Sequence, residues 1–288
     1  MRSSAPSLLA AGLLTLLVAD ASHAAPIIAD DFEVDSSADY TVVDDGAPDG
    51  TVTFAFDYVA AAIPLAPRSA AGDRSGLRMT VNDTAGALDA FTAFHDTPVG
   101  GSFTLWVDLY LGVTGGNGTT EHAHVGVGGD GNTLNTWLPT SGSGAFLAMD
   151  GDGGSGSDYR HFTEESGLVD AGDASYLAGG SDNGLGLYQS IYPATNGSPT
   201  NLWTTLRIDV VAGASVTYSL DGTTIIAATT ASTAGFVSLG YADAFTSLAV
   251  PAQSQFVVFD NLEVVPEPGP TLLLLAGALF AAARARVR

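Results

Sequence analysis

The sequence predicts an all-β protein, a two-sheet antiparallel sandwich of the jelly-roll type, and three observations support this. Apolar and polar residues alternate with a period of two in many short segments, the pattern of strands with one buried face. Loops rich in glycine, aspartate, serine and asparagine separate these segments, and most of the 35 glycines lie between residues 25 and 265. No repeat recurs at a fixed period, which argues against solenoids and propellers. Many short strands with such loops favour a sandwich.

The N-terminal segment has the parts of a secretory signal peptide. Arg2 begins a short basic region, residues 8–18 are apolar, and Ser22-His23-Ala24 offers small residues at the two positions that signal peptidase inspects. This order predicts a signal helix over residues 1–24 that signal peptidase removes. A permanent N-terminal anchor is the alternative, against which the shortness of the apolar stretch argues.

The alternating segments predict the individual strands. Residues 103–111 are the clearest, because every second residue is apolar from Phe103 to Leu111. Asp221-Gly222 predicts a tight hairpin turn, since both residues tolerate a positive φ. The other predicted strands are residues 52–58, 77–81, 206–210, 216–220, 223–226, 236–241 and 256–264. The less regular stretch 128–192 is predicted to be one large insertion of functional loops.

Two segments at the ends of the body, residues 25–265, carry a recognisable pattern. Asp30-Asp31-Phe32-Glu33 opens the body, and the strand predicted over residues 256–264 closes it. Together with residues 203–222, they resemble the concanavalin A-like or laminin-G-like jelly roll. That resemblance implies that the first and last strands lie side by side. It implies little about function, because sugar binders, hydrolases, lyases and adhesive domains share the scaffold.

The C-terminal segment, residues 266–288, has three parts in a fixed order. Pro266-Glu267-Pro268 is followed by an apolar run over residues 271–283 and by a basic end with three arginines. The prolines predict an extended segment, outside helix and sheet, that is open to a protease. The apolar run predicts a hydrophobic helix shorter than the about 20 residues that a membrane span needs. The arginines favour a cytoplasmic end.

This order resembles the PEP-CTERM sorting tail of Gram-negative bacteria that make exopolysaccharide. The resemblance implies transient insertion into the inner membrane, cleavage by an exosortase, and delivery to the cell surface or extracellular matrix. A tail anchor that stays in the membrane is the alternative. Either one places the body of the protein outside the cytoplasm.

The composition excludes several kinds of partner. The chain has 31 acidic and nine basic side chains, a net charge of −22 and no cysteine. Nucleic acid and anionic lipid headgroups require a basic surface, so neither is a predicted partner. Without disulfides, an exported protein relies on its core or on bound ions. The carboxylates therefore favour either solvation alone or Ca²⁺ as a cofactor.

Two places in the sequence are candidates for calcium. One is the glycine-rich loop 150–158, although His161 stands where an EF-hand loop has its closing glutamate. The other is the junction of the two ends of the body, where a bound ion would link them in place of a disulfide, which this protein lacks. The candidate ligands are Asp150, Asp152 and Asp158 in the loop and Asp31, Glu33 and Asp260 at the junction. A flexible, solvated loop is the alternative for the first.

The outward face of residues 103–111 is the candidate glycan site. It carries Trp106, Asp108 and Tyr110, in which rings alternate with a carboxylate that can accept sugar hydroxyls. The alternative is that the aromatic rings fill space between the sheets. Further aromatic residues in the middle stretch could line a rim: Trp137, Tyr159, Tyr176, Tyr188 and Tyr192.

His122 and His124 would share one face of a strand and could meet one transition metal, as in jelly-roll cupins. That family's motif also needs a nearby glutamate and a further histidine, and residues 125–128 supply neither. A packing role for the pair is the alternative.

Catalytic motifs are not found in the sequence. A hydrolase on this scaffold would need a Glu-x-Asp-x-x-Glu run, and an esterase would need a Gly-x-Ser-x-Gly elbow. The sequence therefore favours a non-catalytic module that binds or adheres to extracellular polysaccharide. A structural surface protein without a ligand and a polysaccharide-acting hydrolase or lyase are the alternatives.

Overall fold

The computed structural model describes residues 24–267, except residues 47, 114–120, 138–139, 152–157, 170, 178–184, 244–247, 249–250 and 252. Within these ranges two antiparallel sheets, of eight and seven strands, face each other, which confirms the predicted all-β sandwich. The predicted N-terminal signal helix and C-terminal hydrophobic helix lie outside the described residues. None of the helices in the described ranges has the length and apolar character needed to span a membrane.

Sheet A has the strand order β13-β12-β11-β6-β15-β4-β3, with β1 also paired to β15. Its strands are β1 (Ile28–Asp30), β3 (Thr51–Asp57), β4 (Ser75–Thr80), β6 (Phe103–Val113), β11 (Trp203–Val211), β12 (Ser215–Leu220), β13 (Thr223–Thr229) and β15 (Gln255–Pro266).

Sheet B has the strand order β10-β9-β8-β7-β14-β5-β2. Its strands are β2 (Tyr40–Asp44), β5 (Asp89–His95), β7 (Glu121–Gly129), β8 (Ala145–Asp150), β9 (Tyr159–Thr163), β10 (Gly167–Val169) and β14 (Phe236–Asp243), and one helix, α1 (Leu185–Ile191), follows β10 in the chain.

The core lies between the sheets and follows the predicted alternation. In β6, every second side chain from Phe103 to Leu111 is buried in the main apolar cluster. The turn between β12 and β13 has positive φ at both Asp221 (46°) and Gly222 (80°), as the hairpin signal predicts. The predicted strands all form, with ends that differ by a few residues.

The first and last strands of the body lie side by side in sheet A, as the resemblance implies. Strand β1 pairs with the end of β15, with Ile28 opposite Val264. Strand β4 pairs with the same edge of β15 further back, with Val258 opposite Arg78. Between these two partners β15 has a bulge, where Asn261 adopts a positive φ of 53°.

The prediction for the middle stretch, residues 128–192, is wrong in part. Strands β8, β9 and β10 in this stretch belong to sheet B and are not an insertion of loops. All six residues of β8 are buried, because its outward side chains pack in a second apolar cluster with Trp137 and Phe162. A strand buried on both faces has no alternating pattern for the sequence to show.

The tripeptide predicted as a sorting motif begins inside sheet A, so the expectation that its prolines keep it outside any sheet is wrong for Pro266. Pro266 is the last residue of β15, opposite Phe103, and the Glu267 N–H donates to the Ser102 carbonyl. The Glu267 carboxylate also accepts a hydrogen bond of 2.7 Å from the Thr104 hydroxyl. Proline is tolerated here because it stands at the strand end, beyond the last β1 partner of β15. Pro268 lies outside the described residues.

Candidate functional site

One row of side chains crosses the outer face of sheet A. Trp203 in β11 stands opposite Tyr110 in β6, Tyr110 opposite Val258 in β15, and Val258 opposite Arg78 in β4. These four residues alternate with inward-facing core residues on their own strands, so all point away from the core. The row therefore brings aromatic rings and a guanidinium together from four strands.

A pocket of about 440 Å³ opens at this row, within the ~300–1,000 Å³ range of small-molecule sites. We call it the aromatic pocket. Its lining residues are Phe56, Ala61, Ala62, Ile63, Arg78, Tyr110, Asn201 and Phe256. Phe56 and Phe256 are half-buried, so each ring has surface left for a ligand.

The aromatic rings of the pocket are held by packing on the sheet. Phe256 lies across Gly112 of β6, where any side chain would overlap the ring. Its ring also stacks on Tyr110, with centroids 6.2 Å apart and planes 26° apart. The Trp203 ring packs against the Tyr110 ring, with centroids 5.6 Å apart, and the Trp203 indole N–H donates a 2.6 Å hydrogen bond to the Pro64 carbonyl.

A covering segment, residues 58–74, crosses the outer face of sheet A beside the pocket. Its ends are joined by the hydrogen bond from the Tyr58 N–H to the Arg74 carbonyl. Two buried carboxylates on the sheet hold it: Asp108 accepts from the Arg68 N–H, and Asp260 accepts from the Tyr58 and Ser69 hydroxyls. The segment supplies one wall of the aromatic pocket through Ala61, Ala62 and Ile63.

The structure corrects the predicted role of Asp108. Its side chain is fully buried, and both oxygens accept hydrogen bonds, from the Thr205 hydroxyl, the Arg68 N–H and the Asn261 amide. Alternation along β6 places Asp108 on the outward face, as predicted, but the covering segment removes it from solvent. A buried carboxylate with these partners is not available to sugar hydroxyls.

The two predicted rings of β6 lie on different sides of Asp108. Tyr110 lines the aromatic pocket, whereas Trp106 is half-buried and contacts two guanidiniums, Arg207 at 4.9 Å and Arg68 at 5.7 Å from the ring centroid. Arg68 and Arg207 are themselves paired with carboxylates. Trp106, Asp108 and Tyr110 therefore do not form one platform.

Asp108 and Asp260 stand opposite each other on neighbouring strands, and both are fully buried. Burial raises the pKa of Asp260 to about 7, and burial also raises the pKa of Asp108. Such a pair can share acid and base roles in hydrolases. Here the carboxylates accept hydrogen bonds from the covering segment, from Thr205 and from Asn261, and these contacts favour a structural role.

The predicted calcium ligands are not gathered into one site within the described residues, where no group of three or more acidic or histidine side chains could hold a metal. At the junction, Glu33 accepts the backbone N–H groups of Arg74 and Ser75, Asp260 binds the covering segment, and Asp31 is exposed. In the loop, Asp150 is buried and Asp158 is half-buried, and Asp152 lies outside the described residues.

His122 and His124 lie on the outward face of β7, and both are fully buried. Their ring centroids are 6.3 Å apart, and His124 exchanges a 3.1 Å hydrogen bond with the Thr92 hydroxyl. Burial holds the pKa of His124 well below its usual value, so the imidazole is neutral. The pair packs against Trp137 and Phe146, in agreement with the packing alternative.

The predicted aromatic rim of the middle stretch is wrong, because its residues are buried: Trp137, Tyr159, Tyr176, Tyr188 and Tyr192. Tyr159 and Tyr188, for example, stack with centroids 3.8 Å apart and belong to the main core cluster. These rings fill space and leave no surface for a sugar.

The convergence of Phe56, Arg78 and Phe256 could not be predicted from the sequence. Each falls in a segment predicted as a strand, and alternation places Arg78 and Phe256 on the outward face. Alternation would place Phe56 inward with Phe54, but a bulge at Ala55, which has a positive φ of 52°, turns Phe56 outward. The missing information is this bulge and the strand order, which places β15, β4 and β3 in sequence beside β6.

Comparisons with known proteins give no family. No protein-family model matches the chain, and no curated protein resembles it significantly in sequence. A protein of unknown function with a galectin-like fold from Bacillus subtilis is 9% identical, with 85% of this chain and 99% of that chain covered and a TM-score of 0.49.

Two further solved structures are similar at the same level. The Crh5 transglycosylase in complex with NAG is 15% identical, with 85% of this chain and 86% of that chain covered and a TM-score of 0.47. The carbohydrate-binding module CBM66 from Bacillus subtilis is 12% identical, with 79% and 95% covered and a TM-score of 0.42. A likeness of this degree carries no argument about ligand or activity.

Proposed function

We propose that this protein is a non-catalytic glycan-binding module and that the aromatic pocket is its binding site. The observation that carries the proposal is the arrangement of two half-buried rings, Phe56 and Phe256, around a pocket that also holds polar groups. A pyranose has an apolar C–H face that packs on an aromatic ring and a hydroxyl edge that needs hydrogen bonds. The pocket offers both.

The polar groups of the pocket have hydrogen-bonding capacity left for a ligand. Within the part of the chain that the structure describes, the Tyr110 hydroxyl makes no hydrogen bond, although the residue is mostly buried. The Arg78 guanidinium contributes further donors at the same wall. A sugar hydroxyl can satisfy these groups where a purely apolar ligand would leave them unpaired.

Affinity electrophoresis through gels that contain a soluble polysaccharide tests the proposal. We expect retardation of the wild-type protein, and its loss in Phe256→Ala. Phe236→Ala is the matched control, because Phe236 is a half-buried ring on sheet B, outside the pocket. Phe256→Leu keeps the packing on Gly112 while it removes the aromatic face, which separates binding from folding. Equal retardation of the wild type and both Phe256 variants would rule out the pocket.

Trp106→Ala, measured in the same gels, distinguishes the aromatic pocket from the platform predicted from sequence. Trp106 lies outside the pocket, and its ring makes cation–π contacts with Arg68 and Arg207. We therefore expect Trp106→Ala to be retarded as strongly as the wild-type protein. If Trp106→Ala loses retardation and Phe256→Ala keeps it, the glycan site lies around Trp106 on the outer face of sheet A and not in the aromatic pocket.

We further propose that the chain is exported, processed by signal peptidase and an exosortase, and delivered to the cell surface or the exopolysaccharide matrix. The support is the sequence of the two ends, residues 1–24 and 266–288. Intact-mass spectrometry of the surface fraction should give a chain that begins near Ala25 and lacks the apolar run. Recovery of the full-length mass from the cytosol would overturn this proposal and leave the glycan site to be judged separately.

A further inference from the structure

Arg78 has unusual surroundings in the aromatic pocket. Its guanidinium carbon lies 5.1 Å from the ring centroid of Phe56 and 5.0 Å from that of Phe256, so the cation stands between two aromatic rings. The side chain is half-buried, and burial lowers the pKa of the guanidinium. The charge is therefore partly removed from water at the wall of a pocket.

Arg78 also lacks the partners that the other arginines of the body have. Three of these form ion pairs, Arg68 with Glu263, Arg74 with Asp57 and Arg207 with Asp209, and Arg160 contacts Trp137 and has a further interaction. Among the described residues, the guanidinium of Arg78 has no ion pair and no hydrogen bond to protein, and the Asp83 carboxylate acts on its charge only from beyond ion-pair distance. In a chain with 31 carboxylic side chains and nine basic ones, an arginine without a carboxylate in direct contact is unexpected.

We propose that the aromatic pocket takes a negatively charged pyranose, with a uronate carboxylate bound by Arg78. This inference rests on the proposed glycan-binding function and specifies the ligand class of the same site. Guanidinium and carboxylate match in a planar, two-hydrogen-bond geometry. Phe56 and Phe256 would hold the guanidinium in place while a sugar ring packs against their exposed surface.

The surroundings of Arg78 favour an anionic ligand over a neutral one. A partly buried guanidinium that makes no hydrogen bond to protein is costly, and a carboxylate offsets that cost more fully than a hydroxyl does. The net charge of −22 repels a polyanion at long range. That repulsion is screened beyond about 8 Å at physiological ionic strength, whereas a contact inside the pocket is screened less.

Isothermal titration calorimetry on the full-length chain tests the inference with three probes: oligogalacturonate, dextran sulfate and uncharged dextran. We expect oligogalacturonate to bind about tenfold or more tightly than dextran, the effect of one charge-assisted contact. Arg78→Gln should abolish this preference, and Arg78→Lys should keep part of it. Arg74→Gln is the control, because it removes the same charge from an exposed ion pair outside the pocket. Thermal unfolding checks that each variant is folded.

The outcomes separate the inference from the proposed function. Equal affinity for charged and uncharged probes, unchanged in Arg78→Gln but lost in Phe256→Ala, overturns the inference and leaves the glycan site intact. If Arg78→Gln does not fold, the preference of the wild type and its reduction in Arg78→Lys decide the question. Tight binding of dextran sulfate as well supports an anion site that is not restricted to carboxylates. No binding of any probe overturns both.

Discussion

Replacement of Asp260 by asparagine should change how the stability of this protein depends on pH. Burial raises the pKa of Asp260 to about 7 in the folded protein, from an ordinary value of 3.8. Between about pH 4 and pH 7, Asp260 is therefore protonated in the folded protein and ionised in the unfolded chain. The free energy of unfolding therefore falls as pH rises from about 4 to about 7 and stays low above that.

The size of the effect follows from the difference between the two pKa values. Each pH unit is worth about 1.4 kcal/mol, so Asp260 lowers the free energy of unfolding by up to about 4 kcal/mol above pH 7. Asp260→Asn keeps the shape and stays neutral, and its amide can donate to the Tyr58 or Ser69 hydroxyl. We expect the variant to match the wild type near pH 4 and to exceed it increasingly towards pH 8.

Urea unfolding from pH 4 to pH 8, in the presence of a chelator, measures the difference. Asp108 faces Asp260 and also has a raised pKa, so the wild-type curve contains its contribution in the same direction. For this reason the comparison is between the variant and the wild type. Asp31→Asn is the control, since it removes one carboxylate from an exposed site. Parallel curves for Asp260→Asn and the wild type would refute the reasoning, as would a variant that is less stable at pH 8.

Three further predictions concern packing, turn geometry and ions. Gly112→Ala should lower the free energy of unfolding in urea by about 1–3 kcal/mol, because the methyl group would overlap the Phe256 ring; an unchanged midpoint contradicts this packing. Gly222→Val should cost about 1–2 kcal/mol in the same assay, since Gly222 has a φ of 80°, and a neutral result would exclude a strained turn. If loop 150–158 binds calcium, millimolar calcium should raise the melting temperature above that in a chelator, and Asp152→Asn should remove this gain; equal melting temperatures in calcium and chelator would exclude the site. An Asp260→Ala variant that loses stability equally in calcium and chelator rules out an ion at the chain junction.

The strands whose apolar and polar residues alternate in the sequence could be predicted, whether or not the structure covers both of their faces. The sequence of β6 alternates apolar and polar residues although nearly all of them are buried, and its neighbour β11 alternates in burial as well. In β5 and β8 nearly every residue is buried, and the alternation that marks a strand is absent. The order of strands in each sheet depends on long-range pairing, which periodicity does not reveal.

The candidate site shows the same limit at the level of single residues. Alternation correctly placed Asp108 and Tyr110 on the outward face of β6. It could not show that residues 58–74 fold over Asp108, because this irregular segment has no period to interpret. The partners of Tyr110 were also hidden, since Arg78 and Phe256 reach it through strands that are far away in the sequence.

The covering segment explains why two buried carboxylates occur on the outer face of a sheet in a protein with so few cations. Asp108 and Asp260 bind donors that the segment offers, the Arg68 N–H and the hydroxyls of Tyr58 and Ser69. Apolar residues at these two positions would leave those donors without partners, at a cost of about 1–3 kcal/mol for each buried group. Because the segment also forms one wall of the aromatic pocket, the two carboxylates fix the shape of the site without contact to a ligand. The two carboxylates therefore stabilise the wall of the pocket, and under the proposed function Arg78 supplies the charge that would face a ligand.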